Sequence, residues 1–345
     1  MSADSFLQRM WYEGRSRWLV FLLAPLSWLF HVIVAVRRAA YRYGVFRSFG
    51  VPCPVIVIGN ITVGGTGKTP FTLWLADELQ RRGKKVAIVL RGYGGRSSHW
   101  PRDVGPDTPW EEVGDEAVLL ARRSGAIVVA GPDRVAAARR ACELGAEIIV
   151  CDDGLQHYRL RRDCEIAVVD GRRGLGNCRM LPAGPLREPA ERLRSVDLVV
   201  ITQRQPQRAD RGPLTHSAMR SIQVSTRLGC ATSLVSGETR SLESFVGQRV
   251  GAFAAIGHPQ AFFDALAEAG LEVDARPLPD HARLQRDQIL FGEAQVLMTE
   301  KDAVKCRTIA DPRHWSVALD LDIDASDRAV LHAVIERVLE QSTRA

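Results

Sequence analysis

Beyond residue 54 the hydrophobic positions fall into short apolar runs separated by stretches with helical spacing. Val55–Gly59, Val86–Leu90, Ala126–Ala130, Glu147–Cys151, Glu165–Val169 and Leu198–Thr202 read as strands. The spacing predicts helices from Pro70 to Arg82, around Asp115–Arg123 and near Asp133–Leu144, and a loop rich in Gly, Ser and Pro from Gly92 to Pro109. Strands alternating with helices imply a mainly parallel α/β sheet with helices on both faces. Gln203–Pro213 is polar, holds two prolines and has no apolar period, so it reads as a boundary region. A second α/β pattern follows, with strands at Val250–Ile256, Val296–Thr299 and Val317–Leu321 and helices at Gln260–Ala269 and Ala329–Leu339. The expected organisation is a helical N-terminal segment (1–50), a larger α/β domain (51–210) and a smaller α/β domain (211–345).

The N-terminal segment has a different pattern. Trp18 to Val36 runs 19 residues without a formal charge, interrupted by Pro25, Ser27 and His31. As a helix it would be about 28 Å long, close to a bilayer's hydrocarbon thickness. No small-residue cleavage site follows, so it is a poor signal peptide. A spanning helix, a helix lying in one leaflet and a buried core helix all fit the run. Arginines on both sides (Arg9, Arg15 and Arg17; Arg37, Arg38, Arg42 and Arg47) leave the positive-inside rule without a direction. They suit a membrane-associated helix in either geometry.

Composition narrows the class without choosing a function. At 345 residues, 46% hydrophobic and 25% charged, the chain is globular rather than disordered, collagen-like or coiled-coil. Its net charge of +6 suits anionic partners such as nucleotides, phospholipid headgroups or nucleic acid. Seven scattered cysteines, with no C-x-x-C pair, fit unpaired thiols in a reducing compartment rather than a disulfide framework. Only five lysines occur among 46 basic residues, so a lysine at a chemically special place stands out.

Lys68 is at such a place. The strand Val55–Gly59 runs into Asn60-Ile61-Thr62-Val63-Gly64-Gly65-Thr66-Gly67-Lys68-Thr69, and a helix follows. This is the order of a P-loop. Backbone N–H groups and a helix N-terminus cradle phosphates, the lysine meets the β- and γ-phosphates, and the Thr hydroxyl faces Mg²⁺. The usual first glycine is replaced by Thr62. The fold class expected is therefore P-loop NTPase-like. The strand Glu147–Cys151 ends in Asp152 and Asp153, which at the carboxyl end of a parallel strand are candidates to hold Mg²⁺. Asp115 and Glu116 open a helix after a long loop, where they read either as acids complementing the helix dipole or as carboxylates aimed at an acceptor hydroxyl. His281, in Pro279-Asp280-His281, is ambiguous by itself. Thr299–Lys305 reads as a capping segment with exposed charges.

Together these segments resemble the tetraacyldisaccharide 4′-kinases, which phosphorylate the lipid A precursor. The motifs carrying the resemblance are Val57–Pro70, Arg91-Gly-Tyr-Gly-Gly95, Gly114-Asp-Glu116, Asp152-Asp-Gly-Leu-Gln-His157, Leu181-Pro-Ala-Gly-Pro-Leu-Arg-Glu-Pro189, Pro279-Asp-His281 and Thr299-Glu-Lys-Asp302. They follow the family's order over most of the chain, and generic P-loop proteins lack the later ones. Thr62 is what the family has at that position. Ala282 departs from the family, which often has a second His there, and this puts any role for a second His in doubt.

The resemblance implies an enzyme on the cytoplasmic face of a bacterial inner membrane. It would move the ATP γ-phosphate, with Mg²⁺, to the 4′-hydroxyl of a tetraacyldisaccharide 1-phosphate, giving lipid IVA. It implies Thr62, Val63, Gly64, Gly65, Thr66, Gly67, Lys68 and Thr69 around the nucleotide. Thr69 and some combination of Asp152, Asp153 and Glu116 would hold the metal. Asp115 and His281 would pair to activate the acceptor hydroxyl, with Lys68 on the γ-phosphate. Partners would be this lipid substrate and membrane lipids, with no nucleic acid and no obligate protein partner. Two other classes fit less well. A membrane-recruited ATPase switch typically has a lysine where this chain has Val63, and a nucleic-acid-binding NTPase is disfavoured by the apolar N-terminus.

Overall fold

In the computed structural model, residues 3–14, 17–203, 219–280, 282–292 and 294–343 are described. In chain order the elements are α1 (Ala3–Tyr12), α2 (Arg17–Arg42), β1 (Val55–Gly59), α3 (Lys68–Arg81), β2 (Val86–Leu90), β3 (Arg102–Val104), α4 (Trp110–Val113), α5 (Asp115–Ser124), β4 (Ile127–Ala130), α6 (Arg134–Glu143) and β5 (Ile148–Cys151). β6 (Cys164–Asp170), β7 (Leu198–Gln203), β8 (Ser221–Ser233), β9 (Thr239–Arg240), β10 (Arg249–Ala254), α7 (Gln260–Glu268), β11 (Glu272–Pro277), β12 (Val296–Thr299), α8 (Glu300–Cys306), β13 (His314–Asp322) and α9 (Ala325–Thr343) complete the set.

All the strands join one mixed, mostly parallel sheet in the order β11-β10-β12-β13-β8-β7-β6-β1-β5-β2-β4-β3, with β9 paired to β8. β1 is central, parallel to both β5 and β6, and every one of its five residues is buried. That explains its unbroken apolar run, because a strand covered on both faces has no solvent side to alternate toward.

β8 links the two α/β patterns. It runs parallel to β7 and antiparallel to β13. Its residues do not read as a strand in the sequence. Ile222 and Val224 alternate inward near its start and Ala231 is buried near its end, but the residues between them are polar or at least partly exposed, so the apolar alternation is broken. Much of the expected boundary before it, residues 204–218, lies outside the described residues. α9 carries the chain back, packing Leu331, Val334, Ile335 and Val338 into the same core as Ile56, Phe71 and Leu75.

Two further expectations are corrected. Cys53 and Cys142, expected as free thiols, pair as a disulfide with Cα atoms 6.4 Å apart. The β1 entry and α6 pack side by side there, a proximity that sequence spacing does not show. α8 is not an exposed capping segment, since Asp302, Val304, Lys305 and Cys306 are buried.

α2 is the one helix among the described residues long and apolar enough to cross a membrane by length and composition. It is not a core helix: Trp18, Phe21, Leu22, Trp28, Leu29, Ile33 and Val36 are exposed. The opposite face docks on the body. Ser27, near the middle, donates to the Met180 carbonyl at 2.7 Å, and Phe30 and Val34 pack on the core. Arg37 and Arg38 donate to the Gln156 carbonyl and to Ser195 Oγ.

Candidate active site

The glycine-rich turn leaves the carboxyl end of β1, and Asp152 and Asp153 leave the carboxyl end of its neighbour β5. Adjacent parallel strands thus bring together two segments separated by more than 80 residues of sequence. Gly67 adopts φ +83°, and a Cβ there would meet Thr202 Cγ2 at 3.0 Å, so only glycine fits this turn against β7. Thr202 Oγ1 donates to the Thr66 carbonyl at 3.0 Å, and Asn60 Nδ2 donates to the Gly64 carbonyl at 3.2 Å and Thr66 Oγ1 at 3.3 Å. The loop is therefore shaped from within before any phosphate arrives. Thr62 is buried and bridges Leu186, and the Val63 N–H donates to the Pro185 carbonyl. Those two residues form a wall of the loop. Gly64 and Gly65 are exposed, Thr66 is buried, and Gly67, Lys68 and Thr69 are half-buried, with Lys68 and Thr69 in the first turn of α3.

Opposite the loop the two aspartates have different environments. Burial and the negative charge of Glu116 push Asp152 up to about 6, against Lys68 and a hydrogen bond from Thr72 Oγ1 at 3.0 Å. Burial would also raise Asp153, but Lys68 and Arg187 overrule it and hold this carboxyl well below the usual range. Lys68 Nζ lies 3.5 Å from Asp153 Oδ1, and Arg187 reaches both oxygens at 2.9 and 3.3 Å. The same guanidinium donates to the Asn60 carbonyl at 3.1 Å and to Asn60 Oδ1. Gln156 Nε2 donates to the Asn60 carbonyl at 3.1 Å and to Glu188 at 2.8 Å, and the buried Arg192 pairs with Glu188. No group of three or more His, Cys, Asp or Glu that could hold a metal occurs among the described residues.

α5 places Asp115 and Glu116 at its start. Gly114 sits at φ +90°, and a Cβ there would lie 2.2 Å from the Tyr93 carbonyl oxygen. The Gly-Asp-Glu and Arg-Gly-Tyr-Gly-Gly segments are thus pressed together. Asp115 is buried, with Oδ1 accepting from the Glu116 N–H at 2.9 Å. A cavity of about 280 Å³ opens beside it, lined by Tyr93, Arg96, Trp110, Glu111 and Arg283 among others. Lys301 of α8 pairs with Glu116 at 3.2 Å. Burial disfavours the Lys301 charge, but Glu116 and Asp115 outweigh it and raise its pKa. His281 lies outside the described residues.

This arrangement has close relatives. A family model described as tetraacyldisaccharide-1-P 4′-kinase matches residues 19–340. The tetraacyldisaccharide 4′-kinases of Nitrosococcus oceani and Methylobacillus flagellatus are 43% and 44% identical to this chain, over 98% and 99% of it and 96% and 97% of their own lengths. The chain belongs to the tetraacyldisaccharide 4′-kinase family. A crystal structure of LpxK from Aquifex aeolicus in complex with ATP superposes with a TM-score of 0.80 at 29% identity, covering 93% of this chain and 99% of that one. The fold is thus the P-loop kinase-like α/β fold that the sequence implies.

Within this family member the sequence reading gave no role to Asn60, Thr72, Gln156, Arg187, Glu188 or Arg192, all of which shape the loop or the aspartates. A signal was present for Arg187 and Glu188, which stand in the Leu181–Pro189 motif without a role of their own. Asn60 and Gln156 likewise stand in the Val57–Pro70 and Asp152–His157 motifs without a role of their own, whereas Thr72 and Arg192 lie outside every motif.

Proposed function

We propose that the cleft between the glycine-rich loop, Asp152–Asp153 and Asp115 carries the family's reaction in this chain. Family membership makes the chain a kinase, a phosphotransferase with an alcohol acceptor. The reaction is transfer of the ATP γ-phosphoryl group to the 4′-hydroxyl of a tetraacylated glucosamine disaccharide 1-phosphate. The observation that carries the reading is Lys68, at the N-terminus of α3, facing the carboxylates that end the neighbouring strand.

Free N–H groups of the loop and of the first turn of α3 hold the β- and γ-phosphates, and Lys68 leaves Asp153 to meet the oxygens being transferred. Arg187 keeps Asp153 and Asn60 in place when it does so. Asp115, paired with His281, accepts the proton of the 4′-hydroxyl as that oxygen attacks phosphorus, and ADP leaves. Mg²⁺ fits the chemistry of these residues, because the buried Asp152 is a hard oxygen donor and the negative charges of Glu116 and Asp153 that raise its pKa are ones a divalent ion would offset. Thr69 and Asp152 would hold the ion, with Asp153 or Glu116 completing the set through water, and it would draw charge from the phosphate oxygens.

The exposed apolar face of α2 supports a membrane-associated enzyme. A helix hydrogen-bonded to the body at its middle and near its C-terminal end lies along one leaflet with its outward apolar residues in lipid. Use of ATP supports a body on the cytoplasmic side of the inner membrane. The deciding experiment is phosphorylation of purified tetraacyldisaccharide 1-phosphate with ATP and Mg²⁺, with the product position fixed by mass spectrometry. A 4′-phosphate is expected. Hydrolysis of ATP without transfer to the glycolipid would overturn the reading.

A further inference from the structure

α8 is seven residues long, and its last five residues are buried. Its last lysine, Lys305, has 1% of its side chain exposed. A lysine is rarely buried this deeply unless its charge is matched and its three N–H donors find acceptors. Here Nζ faces three oxygens from three separate segments, two as charge pairs and one as a hydrogen-bond acceptor. Asp302 Oδ1, one turn back on α8, is at 3.2 Å. Asp115 Oδ2, at the start of α5, is at 3.7 Å. The carbonyl of Ala282, the residue following His281 in the chain, is at 3.5 Å.

Asp302 fixes the base of this tripod. Its Oδ2 accepts from the Ala255 N–H at 3.0 Å and from Thr299 Oγ1 at 2.7 Å, tying α8 to the end of β10 and to its own N-cap. Lys305 therefore does not need Asp115 to be paired, since Asp302 already supplies a buried counter-charge. The reach to Asp115 and to the Ala282 carbonyl is additional, and these groups belong to the two segments that carry the proposed proton-accepting pair.

We infer that Lys305 is a positioning residue for phosphoryl transfer: its ammonium holds the Asp115 carboxylate and the backbone beside His281 in one geometry, joining the two segments across the sheet's two halves. The inference rests on the Asp115–His281 reading. Lys305 touches neither the glycine-rich loop nor the aspartates after β5, so its effect falls on kcat and not on ATP binding. Displacing a reacting group by about 1 Å costs on the order of 10²-fold in rate.

The test uses the full-length protein in mixed micelles of detergent and glycolipid. Lys305→Met keeps the length of the side chain and removes the charge and all three donors. Expected are a kcat lower by about 10–100-fold, an ATP Kd within threefold of wild type, and substantial recovery in Lys305→Arg, which restores charge and donors. In an Asp115→Asn background, adding Lys305→Met should cost less than about threefold more, because both changes act on one unit. Arg123→Met is the control. Arg123 pairs with Glu300 and Asp320 along the same seam between α5, α8 and β13, but it is not among the three contacts of the tripod.

A folded Lys305→Met protein with kcat within threefold of wild type would overturn the inference. So would an equal loss in Arg123→Met, which would mean that only docking of the two halves matters, or a full independent loss in the Asp115→Asn background. If Lys305→Met does not fold, Lys305→Gln, which keeps an amide donor, is judged by the same thresholds. Failure of wild-type protein to phosphorylate the glycolipid would instead strike the functional reading itself.

Discussion

Lys68 and Asp153 form an ion pair at 3.5 Å across the mouth of the glycine-rich loop, joining the first residue of α3 to the end of β5. Arg187 holds the same carboxylate from the other side, so Asp153 keeps a cationic partner when Lys68 turns toward phosphate. Lys68→Ala and Thr69→Ala are each expected to lower kcat by about 10²–10³, the usual loss when an oriented charge or metal contact is removed. The protein should stay folded. Steady-state transfer rates, with a melting curve for each variant, check this.

Asp152 carries a cost in the nucleotide-free protein. Burial and the charge of Glu116 push its pKa up to about 6 from an ordinary 3.8, so the folded state binds the proton more tightly than the unfolded chain. The resulting stability is present at low pH and is lost as pH rises through about 6. Asp152→Asn should therefore raise Tm at pH 8 in the absence of ATP and Mg²⁺ while abolishing most transfer. Equal or lower Tm would contradict the burial argument.

His157 has the opposite linkage. Burial, with the positive charges of Arg134, Arg91 and Arg37, pushes it down to about 4 from 6.5. The unfolded chain then binds the extra proton between those values, so stability holds near neutrality and falls as pH drops from about 6.5 toward 4. Thermal unfolding at pH 5 and pH 7.5 should show a smaller difference for His157→Gln than for wild type.

The outward face of α2 can be tested without disturbing the fold. Phe21, Leu29 and Val36 are 72%, 51% and 62% exposed. Changing all three to Asp removes apolar surface where burial in lipid is worth roughly 1.5–3 kcal/mol per side chain. Co-sedimentation with phospholipid vesicles is expected to collapse, while ATP affinity remains.

Asp115→Ala and His281→Ala should each lower kcat by about 10²–10⁴, the range for general acid–base help, and the double variant should be little worse than the worse single. ATP binding should survive. A helix-start acid and an unrelated loop histidine would instead give small, additive losses, so the complete cycle of kcat and ATP Kd separates the two.

The sequence by itself determined the strand–turn–helix that holds Lys68, the aspartates after β5 and the existence of a long apolar N-terminal helix, because each follows from local rules, whereas the outward facing of that helix is decided by its docking on the body. Buried parallel strands read as unbroken apolar runs, a phosphate turn needs glycine at positive φ, and a helix start follows directly in the chain. Tertiary structure alone decided which distant side chains meet. Arg187 reaches Asp153 from 34 residues away, Lys301 and Lys305 come back onto Glu116 and Asp115, and β8 unites two patterns that read as separate. The reason is the same in each case. A charge on a helix reads as a solvated face until its burial is known, and burial depends on which element packs against it, information that lies in the sheet order and not in the spacing of residues along one segment.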